Sequence, residues 1–450
     1  MKMHLLSFLF PFSLFFCQAL QAQTNTATGV EALQSNSTGV DNTATGYQAL
    51  RSNTIGDRNS AFGSEALPSN IRGSGNTAIG NRALFSSTHG DGNTGIGLQA
   101  LGKNNGGNAN TAVGSAALYE NTTANYNTAL GHFTLFRNTT GFQNTASGAG
   151  ALTTNSTGYN NTASGFNALR DNSTGYENTA SGFESLYFNR EGFNNTASGA
   201  MSLRSNTTGS NNVAFGNFAL YYNTTGNYNT AFGFAALNNN VSGSENIVSG
   251  AGAMSSNRIG SNNTVFGSNA LGSNTLGNNN VAIGVNAAFA SRSSNGTFIG
   301  SGTYASENAT NATALGFGAA VLASNQVRIG NAAVTSIGGQ VEWTTLSDGR
   351  FKANVSEDVP GLSFINKLRP VTYTLDINAL DIKMKGKNSS RETTTGSDKF
   401  KVTTVIKESP EEKTVKEARA KVKYTGFVAQ EVEEVAKKLD YDFSGVDAPK

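Results

Sequence analysis

A 17-residue pattern of small apolar and polar positions runs through most of the chain. One unit, residues 161–177, reads NTASGFNALRDNSTGYE. The first glycine of the unit recurs every 17 residues from Gly29 to Gly284, which makes sixteen glycines in unbroken register. The ninth position forms a leucine column that begins at Leu33 and ends at Ala288. A strict period without insertions indicates that every unit has the same structural role.

The unit predicts one coil of a β-solenoid, because it is too short and too rich in Asn and Gly for a helical hairpin repeat. Two extended pieces, NTAxG and xAL, are joined by NxTG turns, with Gly supplying positive φ at the corners. Asn side chains in register are expected to bond along their own column. The interior of each coil is expected to hold an Ala, the Leu and a variable fourth residue such as Phe62, Ile79, Val113 or Phe232. So thin a core predicts further burial between chains.

The predicted fold class is mostly β: a repetitive parallel β-solenoid or β-roll shaft, followed by a small C-terminal α/β domain. The regular repeats occupy residues 23–290, and residues 291–346 are predicted to form an irregular solenoid end or neck. Charge marks the next boundary, because residues 347–450 carry 36 of the 62 charged residues. This charged segment forms the predicted C-terminal domain.

Short patterns predict the elements of that domain. Residues 360–370 favour a helix that Pro370 ends, and residues 371–375 favour a strand. Residues 409–422 favour a capped helix, and residues 424–439 a strand that leads into an amphipathic helix. The polar, Lys-rich stretch between the two halves, 376–408, is expected to be a flexible insertion.

The first 22 residues are typical of a secretory signal. One lysine precedes the apolar run Leu5–Phe16, which is too short to span a membrane. Cleavage is predicted after Ala22, with Ala19 as the alternative. Cys17 opens a lipoprotein alternative, which the bulky Phe16 before it disfavours. The mature chain is therefore expected to be exported, extracellular or at the cell surface, with no membrane span.

Composition and isolated motifs exclude several classes of function. A net charge of +2 argues against a general role in binding nucleic acid or a membrane surface. GIGLQALG, residues 95–102, is similar to a dinucleotide loop, but it is one repeat among many and opens no predicted helix. His89 and His132 each lack a second ligand at metal spacing. We therefore predict no cofactor and no metal site.

Two repeats resemble a known family of surface proteins. NVAFG (212–216) and NVAIG (280–284) are similar to the head repeats of trimeric autotransporter adhesins (YadA-like). The resemblance covers residues 25–300 loosely, since the period of 17 and the frequent Thr and Ser depart from the family pattern. It implies left-handed parallel β-rolls assembled as a homotrimer. A surface glycan or a protein is a candidate ligand of the shaft, which the sequence does not identify.

Three ordered motifs near the C-terminus resemble a second family. SDGRFK (347–352), LRPVTY (368–373) and GFVAQEVEE (426–434) are similar to the peptidase S74 domain, the intramolecular chaperone of endosialidase-type phage tail spikes. The resemblance implies a small α/β domain that trimerises, helps an attached β-fibre to assemble and then cuts itself off. The family continues with a further strand and helix where this chain stops at FSGVDAPK, so we expect a fragment or a shortened chaperone.

The family motif implies Ser347 as the nucleophile, Lys352 five residues later, and a scissile bond between Leu346 and Ser347. A serine hydroxyl is a poor nucleophile until a base takes its proton, and a lysine serves when burial or nearby cations lower its pKa. Asp348 and Arg350 are expected to hold the turn that brings the two side chains together. Attack by Ser347 Oγ on the carbonyl of Leu346 gives an ester that water opens. From the residues alone, a plain polar turn between domains remains the alternative.

The sequence thus predicts an exported, trimeric, adhesin-like fibre with a self-processing chaperone, acting once on itself and on no external substrate. One alternative is a phage or prophage tail fibre, which the signal sequence disfavours. Another is an ice- or surface-binding solenoid with flat Thr ladders. The TAT triplets at 26–28 and 43–45 suit that alternative, whereas later copies switch to TAS, TAI and VAF.

Overall fold

The computed structural model describes residues 24–338, 360–380, 392–395, 402–405 and 410–441. Two compact units, residues 1–177 and 178–450, divide the chain. Parallel β-solenoid coils make up the described part of the first unit and most of the second. The predicted fold class, a parallel β-solenoid with a small C-terminal α/β region, is confirmed.

Each coil of the first unit contributes one three-residue strand. These strands are β1 Thr26–Thr28, β2 Thr43–Thr45, β3 Ser60–Phe62, β4 Thr77–Ile79, β5 Thr94–Ile96, β6 Thr111–Val113, β7 Thr128–Leu130, β8 Thr145–Ser147 and β9 Thr162–Ser164. Successive strands pair in parallel, and each residue lies opposite the one 17 positions later, as Ala61 lies opposite Ala78.

The second unit continues the same arrangement in its own solenoid. Its strands are β10 Thr179–Ser181, β11 Thr196–Ser198, β12 Val213–Phe215, β13 Thr230–Phe232, β14 Ile247–Ser249, β15 Thr264–Phe266, β16 Val281–Ile283, β17 Thr297–Ile299, β18 Tyr304–Ala305, β19 Thr313–Leu315, β20 Ala320–Val321 and β21 Val327–Ile329. The period shortens after Gly284, so Val281 lies opposite Thr297 and Thr313 lies opposite Val327. Strand pairing therefore survives the predicted slip in register.

The xAL segment is not a second strand, and that part of the prediction is wrong. Its residues form turns. The leucines of the ninth position, from Leu33 to Leu271, have φ between +47° and +54°. This left-handed conformation is unfavourable for residues with a Cβ, at about 1–3 kcal/mol each. It persists because the turn buries the side chain: the column is fully buried from Leu50 to Leu271 and, as predicted, lies in no helix.

The fourth residue of the unit lies outside the core, contrary to the prediction. Phe62, Ile79 and Phe232 are 41%, 40% and 43% exposed, and Val113 is half-buried. The physical reason is that side chains alternate between the two faces of a strand. Since the alanine at the third position points inward, the fourth residue must point outward. The core consists instead of two small residues, at the third and eighth positions, and the leucine.

The two glycine columns exist for different reasons. The first column, Gly29 to Gly284, has φ between +122° and +142°, as the corner prediction required. The second column, which begins at Gly39, is not left-handed, so that prediction is wrong there. Glycine is needed at this position because a Cβ on Gly39 would lie 2.4 Å from the carbonyl oxygen of Gly56 in the next coil. Ala124 interrupts the second column, and nothing in the structure explains how its Cβ fits.

Two buried ladders of asparagine join the coils, as the sequence predicted. In the first ladder the Asn127 amide donates to Asn110 Oδ1 at 3.2 Å, and in the second the Asn138 amide donates to Asn121 Oδ1 at 2.9 Å. Both amides also donate to the carbonyl oxygen of Gly141, at 2.9 and 2.8 Å. The glycine carbonyl therefore bridges the two ladders, and the same pairing recurs from coil to coil.

One rung of the second ladder is broken in the first unit. Ser87 stands where the other coils of this unit carry an asparagine, and its hydroxyl is too short to reach across. Within the described chain, Asn70 Oδ1 and Ser87 Oγ are buried without a hydrogen-bond partner. The carbonyl of Gly90 keeps only its bond from the first ladder, from Asn76 at 2.7 Å. A buried oxygen without a donor costs about 1–3 kcal/mol.

The second unit also contains the described part of the charged C-terminal segment. Its elements are α1 Gly361–Ile365, β22 Val371–Tyr373, β23 Glu392–Thr395, β24 Val402–Val405, α2 Pro410–Ala420, β25 Tyr424–Gly426 and α3 Ala429–Lys438. These bounds agree with the helices and strands predicted from capping residues and periodicity. The exception is the antiparallel hairpin of β23 and β24, which lies inside the stretch predicted to be a flexible insertion.

Replacing Ser87 with asparagine is expected to stabilise the solenoid. The new amide would donate to Asn70 Oδ1 and to the Gly90 carbonyl, closing the broken rung, with a gain of about 1–3 kcal/mol. Thermal unfolding of residues 23–450, followed by circular dichroism, measures the change. Ser86→Asn at the neighbouring half-buried position is the control and should leave the midpoint unchanged. An unchanged or lower midpoint for Ser87→Asn would contradict the ladder account.

Gly114→Ala is expected to destabilise the same unit severely. The substitution forces a Cβ onto φ +136° and places it 2.4 Å from the Gly131 carbonyl oxygen. Backbone strain of about 1–3 kcal/mol then adds to the separation of two coils. Gly106→Ala is the matched control, because a Cβ there meets nothing within 4 Å. If both variants have the same midpoint of thermal unfolding as the parent, close stacking of the coils does not require glycine at position 114.

Candidate functional site

The residues predicted for self-cleavage lie outside the described part of the chain. This applies to the dyad, its supporting residues and the predicted cleavage bond: Ser347, Lys352, Asp348, Arg350 and Leu346–Ser347. Their roles remain predictions. The two downstream motifs, by contrast, lie among the described residues.

The structure brings these two motifs together through a short sheet. β22 pairs antiparallel with β25, so that Val371 lies opposite Gly426 and Tyr373 opposite Tyr424. The rings of Tyr373 and Tyr424 stack with centroids 5.8 Å apart. Segments more than fifty residues apart in sequence are therefore neighbours in the fold.

An ion pair and a small apolar cluster hold the same two segments. Arg369 Nε donates to Glu431 Oε2 at 3.2 Å, and its terminal nitrogen donates to the other carboxylate oxygen. The hydrogen bond to Glu431 raises the pKa of the Arg369 guanidinium. Beneath the pair, Phe364 packs with Val432 and Ala436 of α3. The arrangement is a structural junction between α1, β22 and α3.

A second candidate surface is the outer face of the solenoid strands. It consists of the second and fourth positions of every coil, and neither position carries a charged residue in any strand from β1 to β17 or in β19. Nine large apolar residues at the fourth position are 39% to 43% exposed. They are Phe62, Ile79, Leu130, Phe215, Phe232, Phe266, Ile283, Ile299 and Ile329. We refer to these outward positions as the strand face.

Sequence reasoning missed the strand face although the signal was present. The burial of the alanine at the third position, with the alternation of strand side chains, already places the second and fourth residues outside. A large patch of exposed apolar surface marks a site of association in soluble proteins, and the runs β3–β7 and β12–β13 form such patches within their units. The strand face is therefore the candidate interaction surface of the described chain.

A cationic cluster in the second unit has the appearance of a binding site but is internally satisfied. Arg204 Nε lies 2.7 Å from Glu184 Oε2, and its guanidinium stands 5.0 Å from the ring centroids of Tyr187 and Phe188. Burial lowers the pKa of Arg204, but the Glu184 hydrogen bond and nearby charged groups outweigh it and leave the pKa raised. The cluster therefore ties adjacent coils together.

The remaining sequence motifs do not form a binding site among the described residues. In GIGLQALG, strand β5 is followed by turns and not by a helix, so the segment lacks the helix N-terminus that binds phosphate in a dinucleotide loop. Among the described residues no group of three or more His, Cys, Asp or Glu side chains could hold a metal ion. Within the same residues no helix is long and apolar enough to cross a membrane.

Comparison with known proteins adds no family to this picture. No protein-family model matches the chain, and no curated protein matches it, so the resemblances to S74 chaperones and to YadA-like adhesins depend on the motifs alone.

Proposed function

We propose that the chain is an exported, fibre-forming surface protein that assembles as a homotrimer through its strand face. The observation that carries this proposal is the uncharged, partly apolar strand face. An exposed stripe of Phe, Ile and Leu costs free energy in water, and burying each of these side chains contributes about 1.5–3 kcal/mol. Association through this face supplies the burial that the thin core of each coil lacks.

The periodicity of the strand face favours a second copy of the same chain as the partner. The fourth-position side chains repeat once per coil, at the spacing of paired parallel strands, about 4.8 Å. A rigid ladder is complementary over several coils only to a surface with the same spacing. Parallel copies of one chain meet this condition at every coil, and the YadA-like resemblance implies three of them.

The composition of the fourth position also favours one register between copies. In the first unit it is apolar in β3–β7 and serine in β8 and β9. In the second unit it is serine in β10, β11 and β14 and apolar in the other strands up to β17. Copies aligned without stagger place apolar against apolar and serine against serine. A stagger of several coils would instead bury serine hydroxyls against phenylalanine, which is unfavourable.

For the charged C-terminal segment we propose the S74-like role of an assembly chaperone that cuts the Leu346–Ser347 bond. The contacts that join LRPVTY to GFVAQEVEE support it, because separate motifs of one domain are expected to meet. Ser347 would act as the nucleophile and Lys352 as its base. The shaft would then remain as the lasting fibre, with a structural or adhesive role.

The ice-binding alternative is less favoured by the strand face. Flat ice-binding surfaces require a regular array of threonine on both outward positions of each strand. Here the Thr–x–Thr arrangement occurs only in β1 and β2, and bulky apolar residues follow at the fourth position. The predicted signal sequence is the argument against a phage or prophage tail fibre.

Trimer formation predicts a concentration-dependent response to changes in the strand face. The double variant Phe215→Ser, Phe232→Ser removes two stacked rings whose centroids lie 5.1 Å apart. The loss of about 1.5–3 kcal/mol per side chain should weaken association of residues 23–450 more than about 100-fold. Sedimentation velocity at several concentrations measures this. The fold should persist, because serine occupies the same position in β8 to β11.

The control for that experiment changes two exposed aromatic residues elsewhere on the surface. Tyr126 and Tyr228 are 65% and 62% exposed and occupy the last position of the repeat, off the strand face. Tyr126→Ser, Tyr228→Ser should leave the trimer intact. A parent chain that is a folded monomer at micromolar concentration contradicts the proposed assembly.

Self-cleavage predicts a specific pattern among variants of the dyad. The parent should yield two fragments, cut between Leu346 and Ser347. The Ser347→Ala variant should give one uncut chain that still assembles. Lys352→Ala should slow the cut strongly, and Lys352→Arg should not restore it, because a guanidinium is not a base near neutral pH. Intact-mass spectrometry after purification distinguishes these products. Cutting of Ser347→Ala at the rate of the parent would show that the dyad assignment is wrong.

A further inference from the structure

One coil of the first unit carries small side chains where its neighbours carry large ones. In residues 144–160 the sixth, seventh and tenth positions are Ala149, Gly150 and Thr153. The same positions hold larger side chains in the coils on either side: His132, Phe133 and Phe136 before, and Phe166, Asn167 and Arg170 after. At three positions of the repeat, the side chains of this coil are therefore smaller than those of the two coils beside it.

The result is a notch in the solenoid surface of about 240 Å³. Its lining residues are His132, Phe133, Ala149, Gly150, Thr153, Phe166, Asn167 and Arg170. Coils stack about 4.8 Å apart, so the residues on either side of the missing rung are about 10 Å apart at the backbone. Subtracting the half-thickness of a ring on each side, about 3.5 Å in all, leaves a gap of about 6.5 Å, which admits one puckered ring.

The walls of the notch are aromatic and accessible. Phe133 is 42% exposed and Phe166 is 51% exposed. The imidazole of His132 lies against Phe133, with ring centroids 4.0 Å apart. The floor is formed by Ala149 and by Gly150, whose φ is +71°; the Asn167 side-chain oxygen lies over Gly150, 2.2 Å from where a Cβ would stand. A ring entering here would be flanked by π-systems and would rest on Ala149 and the Asn167 amide.

Polar groups with unused hydrogen-bonding capacity line the rim. Within residues 24–177 neither the side-chain amide of Asn167 nor the imidazole of His132 makes a hydrogen bond to another residue. The hydroxyl of Thr153 donates to the Gly150 carbonyl at 2.6 Å, which leaves its oxygen able to accept. The guanidinium of Arg170, which lies 3.6 Å from Asp171, is already engaged and adds a charged edge to the rim. Polar side chains thus border an aromatic slot.

We propose that this notch binds a single pyranose ring of a glycan. A pyranose has one apolar face of C–H groups, which pack on the negative face of an aromatic ring, and an edge of hydroxyls that both donate and accept. The notch offers both features in one place. Its volume lies just below the usual range for drug-sized ligands, about 300–1,000 Å³, which suits one sugar ring.

Other ligand classes fit less well. A peptide requires an extended groove, whereas the notch is confined to the width of three coils. A phosphate or carboxylate would depend on Arg170, which already has a carboxylate beside it. The inference deepens the proposed role of an exposed surface fibre and rests on it, because only an exposed fibre meets glycans outside the cell.

The test uses residues 23–450 and the methyl glycosides of glucose, galactose, mannose and N-acetylglucosamine as probes. Saturation-transfer difference NMR should detect at least one of them, with a Kd of about 1–10 mM, as expected for one ring held by few contacts. Ala149→Phe fills the notch and should abolish the signal or weaken binding at least tenfold. The melting temperature should not fall, because the following coil already carries Phe166 at this position. Asn167→Ala should weaken binding severalfold by removing the amide.

Ala251→Phe is the matched control, since Ala251 occupies the sixth position of a coil in the second unit. It should bind the same glycoside as the parent does. The inference is overturned if no glycoside gives a signal, if Ala149→Phe binds like the parent, or if phenol binds in the notch while every glycoside fails. Sedimentation separates the two proposals. A trimer without glycoside binding overturns the notch alone, whereas a monomer that binds glycoside overturns the proposed assembly alone.

Discussion

Hydrogen bonds between buried asparagine amides one coil apart are the interaction on which the solenoid depends. A single coil satisfies these amides only in part: Asn127 and Asn138 share the Gly141 carbonyl of their own coil, but their other acceptors, Asn110 and Asn121, belong to the coil before. An unpaired buried amide is costly, so a coil is stable only when a neighbour is present in register. The same demand explains the glycine columns, because a Cβ would hold the coils too far apart for the amides to meet. The small interior side chains and the buried amides at the corners both follow from the close stacking of the coils.

The period of 17 carried most of the information about this fold. It specified which residues lie opposite each other, and hence the parallel strands, the asparagine ladders and the buried leucine column. It did not reveal the left-handed backbone of residues such as Leu50, because leucine disfavours that region and only the closed turn compensates for it. The outward direction of the fourth residue was within reach of the sequence, through the alternation of strand side chains. The aligned repeats show that Ala149, Gly150 and Thr153 are smaller than the residues beside them. Coordinates were needed to show that these positions lie together and form a notch.

The C-terminal segment was predictable in a different way. Capping residues and apolar periodicity located its helices and strands, because these signals are local. The contact of Arg369 with Glu431 joins residues 62 positions apart, and no spacing rule in the sequence connects them. The family resemblance predicted that the two motifs belong to one domain, but not which of their residues are in contact. The dyad of Ser347 and Lys352 stays a prediction from motif and chemistry.

The constant register of the ladders makes the length of each solenoid discrete. Inserting or deleting one residue within a coil would place an asparagine beside the wrong neighbour and leave several buried amides unpaired. Removing a whole 17-residue coil would instead leave every remaining amide opposite an equivalent partner, since each coil contacts only those beside it. Such a protein can vary in length only by steps of one coil, about 4.8 Å each. The shortened coils after Gly284, where pairing continues at offsets of 16 and 14, mark the place where this rule relaxes.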